Sequence, residues 1–350
     1  MHPHAWCVFL FLFHACATAP YTIHPKAIEH QTNGVGSLSH GELDQAAGQF
    51  SLALEYEPKM AEAINGLGLV ARTRGDDQLA EARFREALAL NEDLAEAHLN
   101  LGGILLGREE VEEALQSFRR ALAIDPGFAA ARYAVAEALL RLGRLEDARW
   151  ELAKLCEVEP RSAEAHASYA YVLARMGRWA MAETAVQKAV SLNPEHPITL
   201  RARAEILRRT GDFYAAIPWL RKLLQRTPGS VDDRLALATT LLAVGDVDGA
   251  LAEIRPLERS APKRAEIFFV RAFAGLRANQ LDEAMLASQK ALALRPVYPE
   301  ARMVYAEVLL RKGEKRAGRK ALTEFLREAP PSMETERRLA RDFLDRLDVN

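Results

Sequence analysis

The sequence predicts an all-α solenoid of nine helix-turn-helix units, each 34 residues long, followed by one capping helix. Three observations carry this. First, prolines stand at 34-residue steps, at Pro58, Pro126, Pro160, Pro194, Pro228, Pro262, Pro296 and Pro330, with Glu92 filling the one missing step. Second, a small residue lies twelve places before each stop: Ala46, Ala80, Ala114, Ala148, Ala182, Ala216, Ala250, Ala284 and finally Gly318. Third, a further twelve residues back lies another small residue, from Gly34, Gly68 and Gly102 through Ala136 and Ala170 to Ala306.

The unit from Ala95 to Phe128 shows the physics. His98, Leu101, Gly102 and Leu105 fall at i, i+3, i+4 and i+7, one face of an amphipathic helix. Ala114, Phe118 and Ala121 form one face of a second helix, separated from the first by the polar break Gly107-Arg108-Glu109-Glu110. Asp125-Pro126 stops that second helix, because proline has no N–H to donate and biases the residue before it away from helix. Gly102 and Ala114 are small where the helices cross, and Phe118 is large enough to fill the space they leave. A single hairpin of this kind cannot bury its apolar faces, so each unit needs neighbours.

In chain order, residues 1–19 read as an export leader. Ala5 to Phe13 is continuously apolar, too short to span a bilayer and suited to the core of a signal peptide, although no Lys or Arg precedes it. Two processing sites are open. Ala15-Cys16-Ala17 suits ordinary cleavage, and Phe13-His14-Ala15-Cys16 suits lipidation of Cys16. Residues 20–26 hold two prolines and no helical period, and read as a tether. Nine units then run from Ala27 to Ser332 with no break or second domain. Residues 333–350 read as a capping helix. Ser332 caps it, Glu334 and Glu336 favour its first turn, and Leu339, Phe343, Leu344 and Leu347 form its apolar stripe.

The totals exclude several function classes. A net charge of −2 with 27% charged residues gives a mixed surface, without the basic excess of a nucleic-acid or anionic-membrane binder. Three cysteines make no disulfide framework, and Cys156 reads as a small buried hydrophobe. The chain has no HExxH, paired CxxC, P-loop or GxSxG, so no catalytic, cofactor or metal site is expected. His30, His98 and His166 share one slot of the unit, but neighbouring helices lie roughly 10 Å apart. They cannot meet on one ion and read as half-buried packing residues.

The repeat closely resembles the tetratricopeptide repeat family, whose 34-residue pattern has a small residue midway in the first helix, Ala and Phe in the second, and Pro at the end. That resemblance implies a right-handed superhelix whose first helices line a concave groove for an extended peptide or a partner helix. The groove positions it implies are Tyr133, Tyr171, Arg201, Arg209, Phe269, Phe273, Arg277 and Arg311. Aromatics and arginine are the types that carry most interface energy. The carboxylate clamp of chaperone-binding relatives is not matched: Gln31, Val35, Glu96 and Asn100 stand at its places.

The expected function is therefore a non-enzymatic protein-interaction scaffold of the bacterial envelope, exported and either periplasmic or lipid-anchored, with a protein or peptide partner and no nucleic acid. Exported relatives of this architecture suggest an assembly factor for a pilus, secretion or motility complex. The alternatives are a cytosolic adaptor with a misassigned start, and the repeat portion of a truncated glycosyltransferase-like enzyme. The latter needs a catalytic domain that the 18 residues after Ser332 are too few to hold.

Overall fold

The computed structural model describes residues 23–349, which form helices and turns with no strand among them. The leader and Cys16 lie outside the described residues. The chain divides into two compact units, Met1–Leu142 and Gly143–Asn350. The 34-residue register runs straight through the division, so the sequence pattern carries no sign of it.

The first unit holds α1 (Pro25–Ser39), α2 (Leu43–Tyr56), α3 (Ala61–Thr73), α4 (Asp77–Leu90), α5 (Ala95–Gly107), α6 (Val111–Ile124) and α7 (Ala129–Arg141). Helix α1 packs on α2, α3 on α4 and α5 on α6, and successive hairpins pack in turn. The first helix starts inside the expected tether. Pro25 occupies its first turn, where a missing N–H leaves nothing unsatisfied, and Nδ1 of His24 accepts the Lys26 N–H at 3.2 Å.

The glycines that weaken the first helices by propensity are the residues their packing requires. A Cβ on Gly34, Gly68 or Gly102 would lie 2.5–2.6 Å from the ring of Phe50, Phe84 or Phe118 respectively. All three rings are fully buried. A second glycine, Gly66 on α3, presses on the same Phe50 ring, whose Cζ would lie 2.5 Å from an added Cβ.

The second unit holds α8 (Leu145–Val158), α9 (Ala163–Arg175), α10 (Trp179–Leu192), α11 (Pro197–Arg209), α12 (Phe213–Arg226), α13 (Val231–Ala243), α14 (Val247–Ile254), α15 (Leu257–Ser260), α16 (Ala265–Arg277), α17 (Leu281–Leu294), α18 (Pro299–Arg311), α19 (Lys315–Glu328) and α20 (Glu334–Val349). Here the glycine–phenylalanine pair becomes alanine with an aliphatic: Ala170 with Val186, Ala204 with Leu220, Ala238 with Ile254 and Ala306 with Leu322 share buried clusters. The first helix grows by a methyl where the second shrinks. The second helix of one hairpin is interrupted at Arg255-Pro256, between α14 and α15, where proline supplies no donor to the ladder, whereas Pro218 is accommodated inside the unbroken α12.

One residue in each hairpin turn has positive φ, and these residues recur at 34-residue steps. Seven are glycines; the others are Glu109 at 63° and Asn279 at 59°. Glycine enters this region freely, asparagine tolerably, and glutamate only against its Cβ.

The C-terminal helix covers α19, as expected, but with a different stripe. A 3₁₀ turn over Pro331–Met333, which takes in Ser332, leads into α20. Ala340 is fully buried, with Phe343, Leu344 and Leu347 packed on the same cluster as Leu322 and Phe325. Leu339 is 45% exposed. The stripe runs Ala340, Phe343, Leu344, Leu347, whose i, i+3, i+4, i+7 spacing is the true helical face; Leu339 sits one place off it. Arg337 ties the two helices by donating from Nη1 to the carbonyls of Leu326 at 2.8 Å and Ala329 at 2.7 Å.

Candidate partner-binding face

The expected groove residues divide by what they touch. In the first unit, Tyr133 is half-buried on α7. In the second, Tyr171 packs against the cluster around Leu173 and Val186. Arg201 is a structural residue. Its Nε and Nη2 donate at 2.9 and 2.8 Å to the two carboxylate oxygens of Asp233, which is 4% exposed. Asp233 also accepts from Thr227 Oγ1 at 2.9 Å, and its backbone N–H donates to Oγ of Ser230, the N-cap of α13, at 3.2 Å. Burial works against its charge, but the Arg201 guanidinium and the two hydroxyl partners outweigh it and hold the carboxyl below the ordinary aspartate value.

Two of the arginines that close first helices, Arg141 and Arg311, do a common job. Arg141 donates to the carbonyl of Leu106 at 3.3 Å, within the first unit, and Arg311 to that of Leu276 at 3.4 Å, within the second. Each fastens the open C-terminal turn of the preceding first helix, whose last carbonyls have no partner inside the helix. Arg311 and Arg209 are further paired with Glu307 and Glu205, both at 2.6 Å. Arg277 differs. It is exposed, pairs with no carboxylate among the described residues, and lies 5.8 Å from the Phe273 ring centre.

Phe269 and Phe273 are not the exposed pair expected. Both are half-buried and packed between the clusters of α13 and of α16–α18. Their centroids lie 6.2 Å apart, and Phe269 meets Tyr298 at 5.4 Å and 45°. The physical reason is that successive first helices pack directly on one another, α13 with α16 and α16 with α18, which covers the face beside the core stripe. The same packing buries Ala167, Ala174, Leu276 and Met303.

What remains open is a cleft of about 270 Å³ across α11, α13, α16 and the start of α18. Leu235, Ala236, Phe269 and Tyr298 give it apolar walls, and Thr239, Arg208, Asp232, Arg264 and Glu266 complete it. Arg208 donates to Glu205 at 2.8 Å and to Thr239 at 3.2 Å, while its buried Nε has no acceptor. Arg264 bridges Asp232 at 2.7 Å and Glu266 at 3.2 Å. Tyr298, 6% exposed, lies under the Arg295 guanidinium at 4.7 Å, and burial pushes its hydroxyl above the ordinary tyrosine value. Arg208 lies on α11 one place before the expected groove residue Arg209. Arg264 and Tyr298 were not among the residues singled out in the sequence, and Tyr298 lies in the inter-repeat turn, outside the helical periodicity.

The described residues bring no three His, Cys, Asp or Glu side chains together for a metal. The histidine slot instead ties down the turn before it. His98 bonds the Glu92 carbonyl at 2.9 Å and His166 that of Pro160 at 3.1 Å. Arg234 and Arg302, at the same slot, do this to Pro228 and Pro296.

The family described as the C-terminal domain of cilia and flagella-associated protein 70, a tetratricopeptide repeat family, matches residues 26–272. No curated protein matches the chain. Among solved structures, a tetratricopeptide repeat protein from Parabacteroides merdae is 18% identical with a TM-score of 0.56, over 72% of this chain and 99% of that one. The pilF structure of Pseudomonas aeruginosa is 21% identical with a TM-score of 0.52, over 60% of this chain and 95% of that one. The Cut9–Hcn1 assembly of APC/C gives 15% and 0.52, over 91% of this chain and 55% of that one. At these identities the likeness is one of fold.

Proposed function

We propose, for a chain that belongs to the tetratricopeptide repeat family of the cilia and flagella-associated protein 70 C-terminal domain, that the first-helix face of its second unit holds a segment of a partner protein. As a member of this family it is a protein-interaction scaffold. The observation that carries the finer reading is the cleft of α11, α13, α16 and α18, which sets aromatic walls beside arginines. Those are the residue types on which interface energy concentrates. The chain works by presenting this surface and catalyses nothing.

The partner contact is tested by placing a photo-crosslinking amino acid at Arg277, exposed at the C-terminal end of the first helix α16, and at Thr184, exposed on the second helix α10. The expected result is one dominant adduct at 277 and none at 184, its partner identified by mass and then rebound as purified protein. Adducts at 184 alone would move the surface to the second helices.

The leader supports an exported scaffold, processed either at an ordinary site or by lipid attachment at Cys16, and serving assembly of an envelope complex such as a pilus, secretion or motility machine. Labelled palmitate entering the native chain but not Cys16→Ala is the result expected for the lipid-anchored form. A mature N-terminus at Thr18 supports ordinary secretion, and retention of Met1 in the cytosol refutes export.

A further inference from the structure

The near-neutral total conceals a separation of charge. Residues 1–142 carry 11 Lys and Arg against 19 Asp and Glu, and residues 143–350 carry 35 against 29. The first unit is net −8 and the second net +6. Charge asymmetry of this kind points to partners rather than to the fold.

The basic surplus gathers in the last hairpin, where residues 311–323 hold six Lys and Arg and one acid. Helix α19 breaks the habit of the second helices of the first unit. There α2, α4 and α6 each carry acid in the first turn, which the positive end of the helix dipole favours. Helix α19 opens instead on Lys315 and Arg316, with no acid in that turn. Arg316, Lys320, Thr323 and Arg327 then fall at i, i+4, i+7 and i+11, one exposed face of the helix. Like charges four apart also work against a helix. The side chains of Lys315, Arg316 and Lys320 make no ion pair or hydrogen bond among the described residues, and Arg327 meets only Glu328, at 3.8 Å. This face costs the helix stability and receives nothing back within its own unit.

The acidic surplus lies along one edge of the first unit. The hairpin turns there stand side by side, stitched by Arg74 to Asp44 and by Arg108 to Glu81 at 2.5 Å. Along that edge Glu42, Asp77, Glu110, Glu112 and Glu113 are exposed and have no ion-pair partner among the described residues. A second copy of the chain therefore carries the anionic surface that α19 lacks. An anionic bilayer fits less well, because it would attract α19 while repelling the acidic unit joined to it.

We propose that copies of this chain associate head to tail through charge: the face of α19 bearing Arg316, Lys320 and Arg327 docks on the acidic turn edge of the first unit of a second copy, at Asp77, Glu112 and Glu113. The contact joins unlike surfaces, so it is heterologous and can pass from copy to copy. It does not use the first-helix face, so a partner held there and a second copy held here are separate events.

The test is sedimentation velocity on the full chain over a range of concentrations, at about 0.1 M and about 1 M salt, between which the screening length falls from about 10 Å to about 3 Å. Self-association is expected at the lower salt and is expected to weaken at least about tenfold at the higher. Arg316→Glu with Lys320→Glu should sediment as a monomer at low salt while keeping its fold, since acid at 316 suits the helix dipole. Glu112→Lys with Glu113→Lys should do the same; if it unfolds, Glu112→Gln with Glu113→Gln should weaken association several-fold. An equimolar mixture of the two charge-reversed chains should associate again, because each then supplies the surface the other has lost. A native chain that stays monomeric at low salt overturns the proposal. So does association that persists at high salt, which marks apolar contact, or association unchanged in either folded double variant. A mixture that fails to associate also overturns it. Binding of the native chain to vesicles containing phosphatidylglycerol, without self-association, assigns the α19 face to a membrane instead.

Discussion

Gly102→Ala is a small change with a definite cost in this fold. The added Cβ would stand 2.5 Å from Cε1 and 2.6 Å from Cδ1 of Phe118, about 1 Å inside ordinary contact. The ring is fully buried and cannot swing away into solvent. Overpacking of this kind costs about 1–3 kcal/mol, against which alanine returns about 1 kcal/mol of helix propensity. With the ring locked in place the clash belongs to the upper part of that range, about 2–3 kcal/mol, so the single mutant should lose about 1–2 kcal/mol. Phe118→Leu alone should also lose about 1–2 kcal/mol through lost packing, less than full truncation of the ring would cost. The double mutant recreates the Ala204–Leu220 pair of the second unit and should return to within about 1 kcal/mol of the native chain, a favourable coupling of at least 1 kcal/mol. Because solenoids unfold by parts, the assay is hydrogen exchange of α5 and α6 read locally, beside urea denaturation of the whole chain. Additive costs, or a stabilised Gly102→Ala, would show that the ring and the glycine are not a fitted pair.

Other consequences can be measured directly. Asp233→Ala leaves Arg201 without its bidentate partner and should loosen α13 by about 2 kcal/mol, the scale of a charged hydrogen bond, visible as faster exchange confined to α11–α13. Because the folded Asp233 carboxyl titrates below its unfolded value of about 3.9, the stability it contributes is full above that value and is lost as pH falls below it; Asp233→Asn should flatten that part of the acid-denaturation curve. Glu109→Gly removes a left-handed glutamate and should stabilise the α5–α6 hairpin by up to about 1 kcal/mol, since the αL penalty is about 1–2 kcal/mol and glycine's extra unfolded-state freedom returns part of it; a lower melting midpoint refutes the strain. Burial, with Glu157 adding to it, pushes the Cys156 thiol up to about 11, so alkylation at pH 8 mapped to that cysteine should be slow in the native chain and speed up strongly in urea; equal rates would mean the thiol is open.

The fold was legible because each repeat states the same constraints again. One stop, one small residue in each helix and one apolar face recur until chance alternatives disappear, and each maps onto a helix of the structure. The exchange of glycine and phenylalanine for alanine and leucine was present in the sequence too, at Gly102 and Phe118 against Ala204 and Leu220. It becomes meaningful only once the two positions are known to touch. The break at Arg255-Pro256 was likewise written in the sequence as a proline inside a helical window.

The partner face was only half legible, and the reason is geometric. Periodicity reports the angle at which a side chain leaves its own helix. It does not report how close the next first helix comes. Phe269 and Phe273 leave α16 at the groove angle, yet the neighbours α13 and α18 close over them and turn them into walls. Arg201 leaves α11 at the same angle and is taken by Asp233, a residue whose burial no composition rule suggests. What forms the cleft is then a residue of the inter-repeat turn, Tyr298, laid against a ring from α16, the first helix of the preceding hairpin. A repeat sequence predicts the parts that repeat, and specificity is written where one copy departs from the rest. Here that departure is an aromatic turn residue and an arginine donor left without an acceptor.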